Sequence, residues 1–249
     1  LSTRFRLISL DMLGFGYSDK PDVSTYSIHG QADIVESLVI AKSLSQFHVL
    51  AHDYGDTVAQ ELLARSLENF KTTRRDSEKG EFNILSTILL NGGLFPETHR
   101  PVLMQKLLIS PVGKWLVKLY SFNKLRKTFA HICKQPIADE ELKVYWNLLE
   151  LNNGLAVMPK LIAYMEERRQ HRERWVSALQ QADGVIRVID GIDDPISGGH
   201  MLDRYRELIN TPDVIALTGV GHYPQVEAPQ QVLAAALEFW QQHKIITAK

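Results

Sequence analysis

At 249 residues, with 45% hydrophobic and 23% charged residues, the chain has the composition of an ordinary globular protein able to bury a substantial core. Lysine and arginine total 28 against 29 aspartate and glutamate, a formal net charge of -1. No long-range field therefore draws it to nucleic acid or to an anionic membrane surface, and a small neutral substrate suits the balance. The single cysteine, Cys133, cannot form an intramolecular disulfide and lacks the company of a zinc motif, so neither a metal nor a cofactor is expected. No stretch reaches the roughly 20 apolar residues that cross a bilayer, and nothing at the start reads as a signal segment. A cytoplasmic setting is the expectation, with any signal or anchor lying upstream of Leu1.

Residues 4–10 (RFRLISL) predict a buried strand, ended by Asp11 and the turn Gly14-Phe15-Gly16. Residues 28–44 carry apolar positions at helical spacing, among them Ile34, Leu38 and Ala41. A short apolar run at 47–51, an abrupt turn, and a helical pattern at 57–63 give the order strand, turn, helix. The charge-rich stretch 71–81 reads as a solvated loop, and 84–90 as a further strand ending in Asn91-Gly92-Gly93. From 96 to 181 strand signals vanish and amphipathic helical stretches take over, notably 140–151 and 158–179. Strands return at 185–189 and 214–217, before a last helix at 229–243. This alternation predicts an α/β fold with a mostly parallel sheet covered by helices on both faces. It divides the chain into a core of 1–95 and 182–249 and a helical insertion at 96–181.

Ala51-His52-Asp53-Tyr54-Gly55 sets a central reactive residue between small neighbours at a strand-to-helix junction. This is the pattern of a nucleophile elbow, where the central residue sits on a strained turn and small flanks let backbone pass close to backbone. Serine is the usual occupant, so an aspartate speaks to mechanism. A carboxylate attacks as an anion, and displacing a leaving group from saturated carbon leaves an alkyl ester. A histidine must then activate the water that hydrolyses the ester. The partners follow in the order nucleophile, acid, histidine. Gly191-Ile192-Asp193-Asp194-Pro195 puts a carboxylate at a strand's C-terminal edge, and Gly221-His222-Tyr223-Pro224 puts a glycine-preceded histidine in a loop. Each residue also has a plainer reading: Asp53 as a helix N-cap, Asp194 as an Asp-Pro turn, His222 as one loop histidine among nine. The three together weaken those readings.

The run Asp11-Met12-Leu13-Gly14-Phe15-Gly16-Tyr17-Ser18-Asp19-Lys20-Pro21, with His52 to Gly55, the acid loop and Gly221 to Pro224, resembles the epoxide hydrolase and haloalkane dehalogenase branch of the α/β-hydrolases. The stretches HDYGDTVAQELL from His52, NGGLFPETHRP from Asn91 and Arg174-Trp175-Val176 are similar to the mesoderm-specific transcript-like hydrolases within it. The resemblance implies Asp53 as nucleophile, Asp194 as the acid that orients the histidine, and His222 as base. It also implies that the Tyr54 backbone N–H forms half of an oxyanion hole. The other half comes in such enzymes from an HGxP-type turn, which this sequence lacks. The expectation is that the chain begins at the fourth strand of the fold, with the first strands outside it.

Dehalogenases of this kind place tryptophan after the nucleophile to hold the leaving halide, and here Tyr54 stands instead. In epoxide hydrolases tyrosines from a helical lid protonate the opening epoxide oxygen. Tyr164 sits where such a tyrosine belongs, with Tyr120 as candidate for a second hydroxyl and Tyr145 assigned to packing. An epoxide hydrolase-like enzyme for small apolar substrates is the first reading. A haloalkane dehalogenase and a catalytically silent scaffold that binds a ligand or partner are the alternatives.

Overall fold

The computed structural model describes residues 1–22, 26–71, 82–101, 105, 107–108, 110, 113–182 and 185–247. The charged stretch expected as a loop lies outside them, except for Lys71. Among the described residues four strands, β1 (Gln46–His52), β2 (Asn83–Leu90), β3 (Ile186–Gly191) and β4 (Asp213–Leu217), form one parallel sheet in the order β1-β2-β3-β4. Helices α1 (Ile28–Ala41) and α2 (Tyr54–Lys71) flank β1 in sequence. Between β2 and β3 come α3 (Gly113–Leu116), α4 (Phe122–Ile132), α5 (Asp139–Glu150), α6 (Gly154–Leu161), α7 (Tyr164–Gln170) and α8 (Arg172–Gln181). α9 (Gly199–Leu208) precedes β4, and α10 (Pro224–Glu227) and α11 (Pro229–Gln242) follow it.

Both faces of the sheet are covered, which explains why β2 and β3 read as near-continuous apolar runs rather than as alternating ones. Ile84, Leu89, Ile186 and Val188 pack against α1, α2, α8 and α9 on one face. Ile88, Leu90, Ile189 and Leu217 pack against Val232, Ala236, Phe239 and Trp240 of α11 on the other. A bulge in β2 makes this division work. Phe47 pairs with Ile84 and His48 with Ser86, so Leu85 is skipped and the two-residue alternation changes phase there. Arg187, in mid-strand, is buried facing α11, where Asp213, Glu238 and the Ala235 carbonyl receive its guanidinium.

Three sequence expectations change. Residues 4–10 are not a strand: among the described residues nothing pairs with them, and Leu7 and Ile8 are exposed. An apolar run becomes a strand only where a neighbour accepts its backbone hydrogen bonds, and β1, at the edge of the sheet, does not receive it. In α1 the helical period holds but the buried face is Ile28, Ala32 and Val39, while Ile34 is exposed. Gln31 shares that inward face because its side chain bonds both the N–H and the carbonyl of Leu13. The single helix expected at 158–179 is three. It turns at 162–163, where Ala163, Met165 and Glu166 donate three residues back instead of four, and again at His171, whose ring lies against His29 and Trp175. These corners aim the side chains of α7 at the sheet.

Ile88 is fully buried in the middle of β2. Ile88→Ala is expected to lower stability by about 2–5 kcal/mol, read from the midpoint of urea unfolding. A loss below about 0.5 kcal/mol, the scale of a surface substitution, would contradict this packing.

Candidate active site

The C-terminal ends of all four parallel strands converge at one place, the edge where open α/β sheets put their sites. Asp53 follows β1 directly and opens into α2 with φ of 48°. A non-glycine residue held there costs of order 1–3 kcal/mol. Its N–H is fixed to the Leu90 carbonyl at 3.2 Å and its carbonyl to the Asp56 N–H at 3.1 Å. Among the described residues its carboxylate caps no N–H of α2, so the N-cap role is not the one it fills; it is turned toward Tyr164 and His222. Tyr54 opens α2, so its N–H is one of those a helix leaves without an intrahelical acceptor. Gly55 is not forced by space: a Cβ there would meet Met12 and Ala51 only at ordinary contact distances. The close backbone crossing lies instead at Gly191, where a Cβ would stand 2.2 Å from the Gly221 carbonyl oxygen. That crossing brings the acid loop onto the histidine loop.

Asp194 is buried and densely bonded. Its carboxylate accepts from the Ile196 N–H at 2.8 Å, the Ser197 N–H at 3.2 Å and hydroxyl at 2.9 Å, and the Asn91 amide at 3.1 Å. His222 Nδ1 adds a fifth contact at 2.8 Å. Burial opposes ionisation of Asp194, but the charge and hydrogen bond of His222 outweigh it and hold the carboxyl below its ordinary value. The other nitrogen of His222, Nε2, lies 3.7 Å from Asp53 Oδ2, ion-pair range without an ordinary hydrogen bond. Burial disfavours the imidazolium, yet Asp194 first and Asp53 second push His222 up to about 10, so the ring is charged at neutral pH. Asp53 is held far below the usual carboxylate range because His222 outweighs the cost of its burial.

Several residues of this arrangement were not singled out from sequence. Asn91, at φ 42°, has its amide locked by both N–H and carbonyl of Gly191 while it reaches Asp194. His52 is kept neutral by burial and by the charge of His222, its value falling to about 4. A backbone carbonyl only accepts, so His52 Nε2–H donates to the His222 carbonyl at 2.7 Å. Glu227 accepts four backbone N–H groups, those of Lys134, Gln135, Gly221 and Tyr223. It ties the histidine loop to the end of α4, and the His222 N–H reaches the Ile132 carbonyl there at 2.9 Å. The NGG that follows β2 and the histidine beside the elbow were visible signals; Glu227 had none. Two further carboxyls lie beneath, Asp56 and Asp190, both pushed well above their ordinary value, by burial first and then by Asp53 and Asp194 respectively. Burial thus favours the uncharged acid at both.

Asp53 faces a cavity of about 390 Å³, lined mainly by apolar side chains including Phe15, Leu125, Phe129, Leu149, Met158 and Leu161. Tyr164 is buried and its hydroxyl points to Asp53 Oδ1 at 3.4 Å. Its ring packs on that of Tyr54 at 4.7 Å. Tyr120 is not brought to the site: it does not line the cavity, and its ring lies by Trp146. Tyr145 does line the cavity, contrary to a pure packing role, although its hydroxyl donates to Glu141. Among the described residues no acidic, histidine and cysteine cluster could hold a metal ion, and no helix is long and apolar enough to cross a membrane.

A parallel sheet whose strand ends present an elbow aspartate, a buried acid and a histidine defines an α/β-hydrolase, and the chain belongs to that family: residues 1–236 match the Alpha/beta hydrolase family. It is similar to the mesoderm-specific transcript protein of Mus musculus, 40% identical over 250 residues that cover 96% of this chain and 72% of that protein. Among solved structures it is similar to an alpha/beta hydrolase fold protein from Burkholderia ambifaria, with a TM-score of 0.74 and 21% identity over 92% of this chain and 78% of that one. It is also similar to the epoxide hydrolase CorEH, with a TM-score of 0.68 and 17% identity over 94% of this chain and 81% of that one. At such identities the structural likeness speaks for the fold alone.

The imidazolium of His222 stabilises the native state. Because the folded value is raised from 6.5 to about 10, that contribution is complete below pH 6.5 and disappears as pH climbs through about 10. By NMR the His222 ring resonances are expected to titrate near 10, and Asp194→Asn is expected to bring that value down. A wild-type titration near 6.5 would contradict the arrangement.

Proposed function

We propose that this chain hydrolyses epoxide-like electrophiles on small apolar molecules through an ester formed on Asp53. The observation that carries the reading is the placement of an ionised carboxylate at an elbow, 3.7 Å from an imidazolium that is itself anchored on a second carboxylate, facing an apolar cavity. In this reading 96–181 is the lid of the site, and 1–95 with 182–249 the core that carries the triad.

Asp53 attacks an epoxide carbon, the carbon–oxygen bond of the ring breaks, and the released oxygen takes the proton of the Tyr164 hydroxyl. Esterification removes the negative charge of Asp53 and with it one of the two carboxylates that sustain the His222 cation. The ring then gives its proton to the Tyr164 phenolate and becomes a neutral base. Water adds to the ester carbonyl carbon, its proton passing to His222, while the Tyr54 N–H faces the carbonyl oxygen as negative charge builds there. Collapse expels the second alkoxide, which takes the proton left on the Asp53 carboxyl. The products are a diol, an Asp53 anion and a His222 cation, the starting state. The phenol of Tyr164 suits a leaving oxygen that needs a proton, which favours an epoxide over a halide.

The reading predicts that Asp53→Asn abolishes turnover of terminal epoxides without altering the fold, and that His222→Gln accumulates an ester. Intact-mass and peptide mass spectrometry of His222→Gln after exposure to styrene oxide should find the adduct on Asp53. Turnover persisting in Asp53→Asn would defeat the mechanism. Tyr164→Phe is expected to slow ester formation by ~100-fold or more, the usual worth of a general acid, in single-turnover measurements.

A further inference from the structure

Arg168 is buried to 2% exposure, and none of the ion pairs among the described residues includes it. Buried arginines are ordinarily paired, as Arg187 is with Asp213 and Glu238. One nitrogen, Nη1, donates to the Gly93 carbonyl; the other, Nη2, has no hydrogen-bond partner among the described residues. The approach to Gly93 is so close that any side chain there would overlap Nη1 and push the guanidinium aside. His99, nearby, adds no second cation, because burial and Arg168 itself hold it neutral, near 4. What the guanidinium does touch is Tyr164, one helical turn back on α7, stacking over its ring at 4.5 Å. The hydroxyl of that ring faces Asp53.

We propose that Arg168 is a positioning residue for ring opening: clamped by the Gly93 carbonyl against the ring of Tyr164, its guanidinium holds the hydroxyl at Asp53 and stabilises the negative charge left on the phenol oxygen once its proton has passed to the opening epoxide. The inference rests on the reading of Asp53 as nucleophile and Tyr164 as acid. A cation on the ring face favours phenolate over phenol; among the influences on Tyr164, burial raises its value and Arg168 is the leading one that lowers it. A guanidinium keeps its charge at any working pH, so this support is constant while Tyr164 cycles between phenol and phenolate. Without a carboxylate partner among the described residues, the buried cation costs the free protein stability, and the developing phenolate is where that cost is recovered.

The test is a double-mutant cycle on the first step, with the rate of Asp53 adduct formation from styrene oxide measured by quenched-flow mass spectrometry in the His222→Gln protein. Arg168→Met should slow the adduct by ~10- to 100-fold, a part of the whole general-acid effect. Arg168→Lys should recover part of the rate. In a Tyr164→Phe background, Arg168→Met should have no further effect, because an interaction routed through Tyr164 is lost with its hydroxyl. An equal slowing in both backgrounds would assign Arg168 a purely structural role and overturn the proposal, as would an unchanged rate in Arg168→Met alone. Should Arg168→Met fail to fold by circular dichroism, Arg168→Lys is read in the same cycle with the same outcomes. No adduct in His222→Gln alone would instead sink the nucleophile reading, and this inference with it.

Discussion

A charged imidazole buried between two carboxylates is the constraint around which this molecule is organised. Left alone, His222 would be neutral at that depth, since burial is the largest influence on it. The anion of Asp194 reverses this, and an anion at that depth needs its own support: four hydrogen bonds in addition to that of His222. Much of the loop chemistry follows from it. Asn91, at a positive φ, reaches Asp194, the Ser197 N–H and hydroxyl turn back to it, and Gly191 has no side chain because the histidine loop crosses there. Removing any one of these leaves a buried charge less than fully solvated by the protein, which is why such networks are built whole.

The same charges also join segments far apart in the chain. The strand ends supply Asp53, Asn91, Asp194 and His222, yet α4 receives the His222 N–H, Glu227 grips the N–H groups after α4, and α7 returns Tyr164 and Arg168 to Asp53 and Gly93. Residues separated by more than a hundred positions therefore share one electrostatic balance. In the proposed cycle this balance is what changes: esterification removes one charge, and the histidine responds by giving up its proton. At Asp56 and Asp190 burial works the other way and favours the uncharged acid. A site with four ionised carboxylates around one imidazole would be far costlier to bury.

Most elements could be read in advance. The period of the apolar residues gave α1, α2 and α11 and the positions of β1 to β4, because a sheet covered on both faces demands continuous apolar strands and covering helices demand one apolar side. Where the reading erred, the error was one of partnership. Residues 4–10 have the residues of a strand but no neighbour; Ile34 has the spacing of a core position but lies a third of a turn from it; 158–179 has the periodicity of one helix but is turned twice to aim Tyr164 and Arg168.

Asp53, Asp194 and His222 stood out as candidates because each follows a strand, Asp53 two residues before Gly55, Asp194 beside Pro195 and His222 beside Gly221, and because they occur in the order nucleophile, acid, histidine. The family resemblance put Tyr164 ahead of Tyr120, but residue pattern alone gave no physical reason for it. Tyr120 and Tyr164 are both aromatic residues on amphipathic stretches, and only the turn at 162–163 directs one of them inward. Nor could sequence find Glu227, which binds backbone groups that carry no residue identity, or show that Arg168 meets no carboxylate among the described residues. One-dimensional pattern determines which atoms are available and which faces are apolar. Which charges share a buried volume is settled only by packing, because the energy of a buried charge depends on every neighbour that replaces water around it.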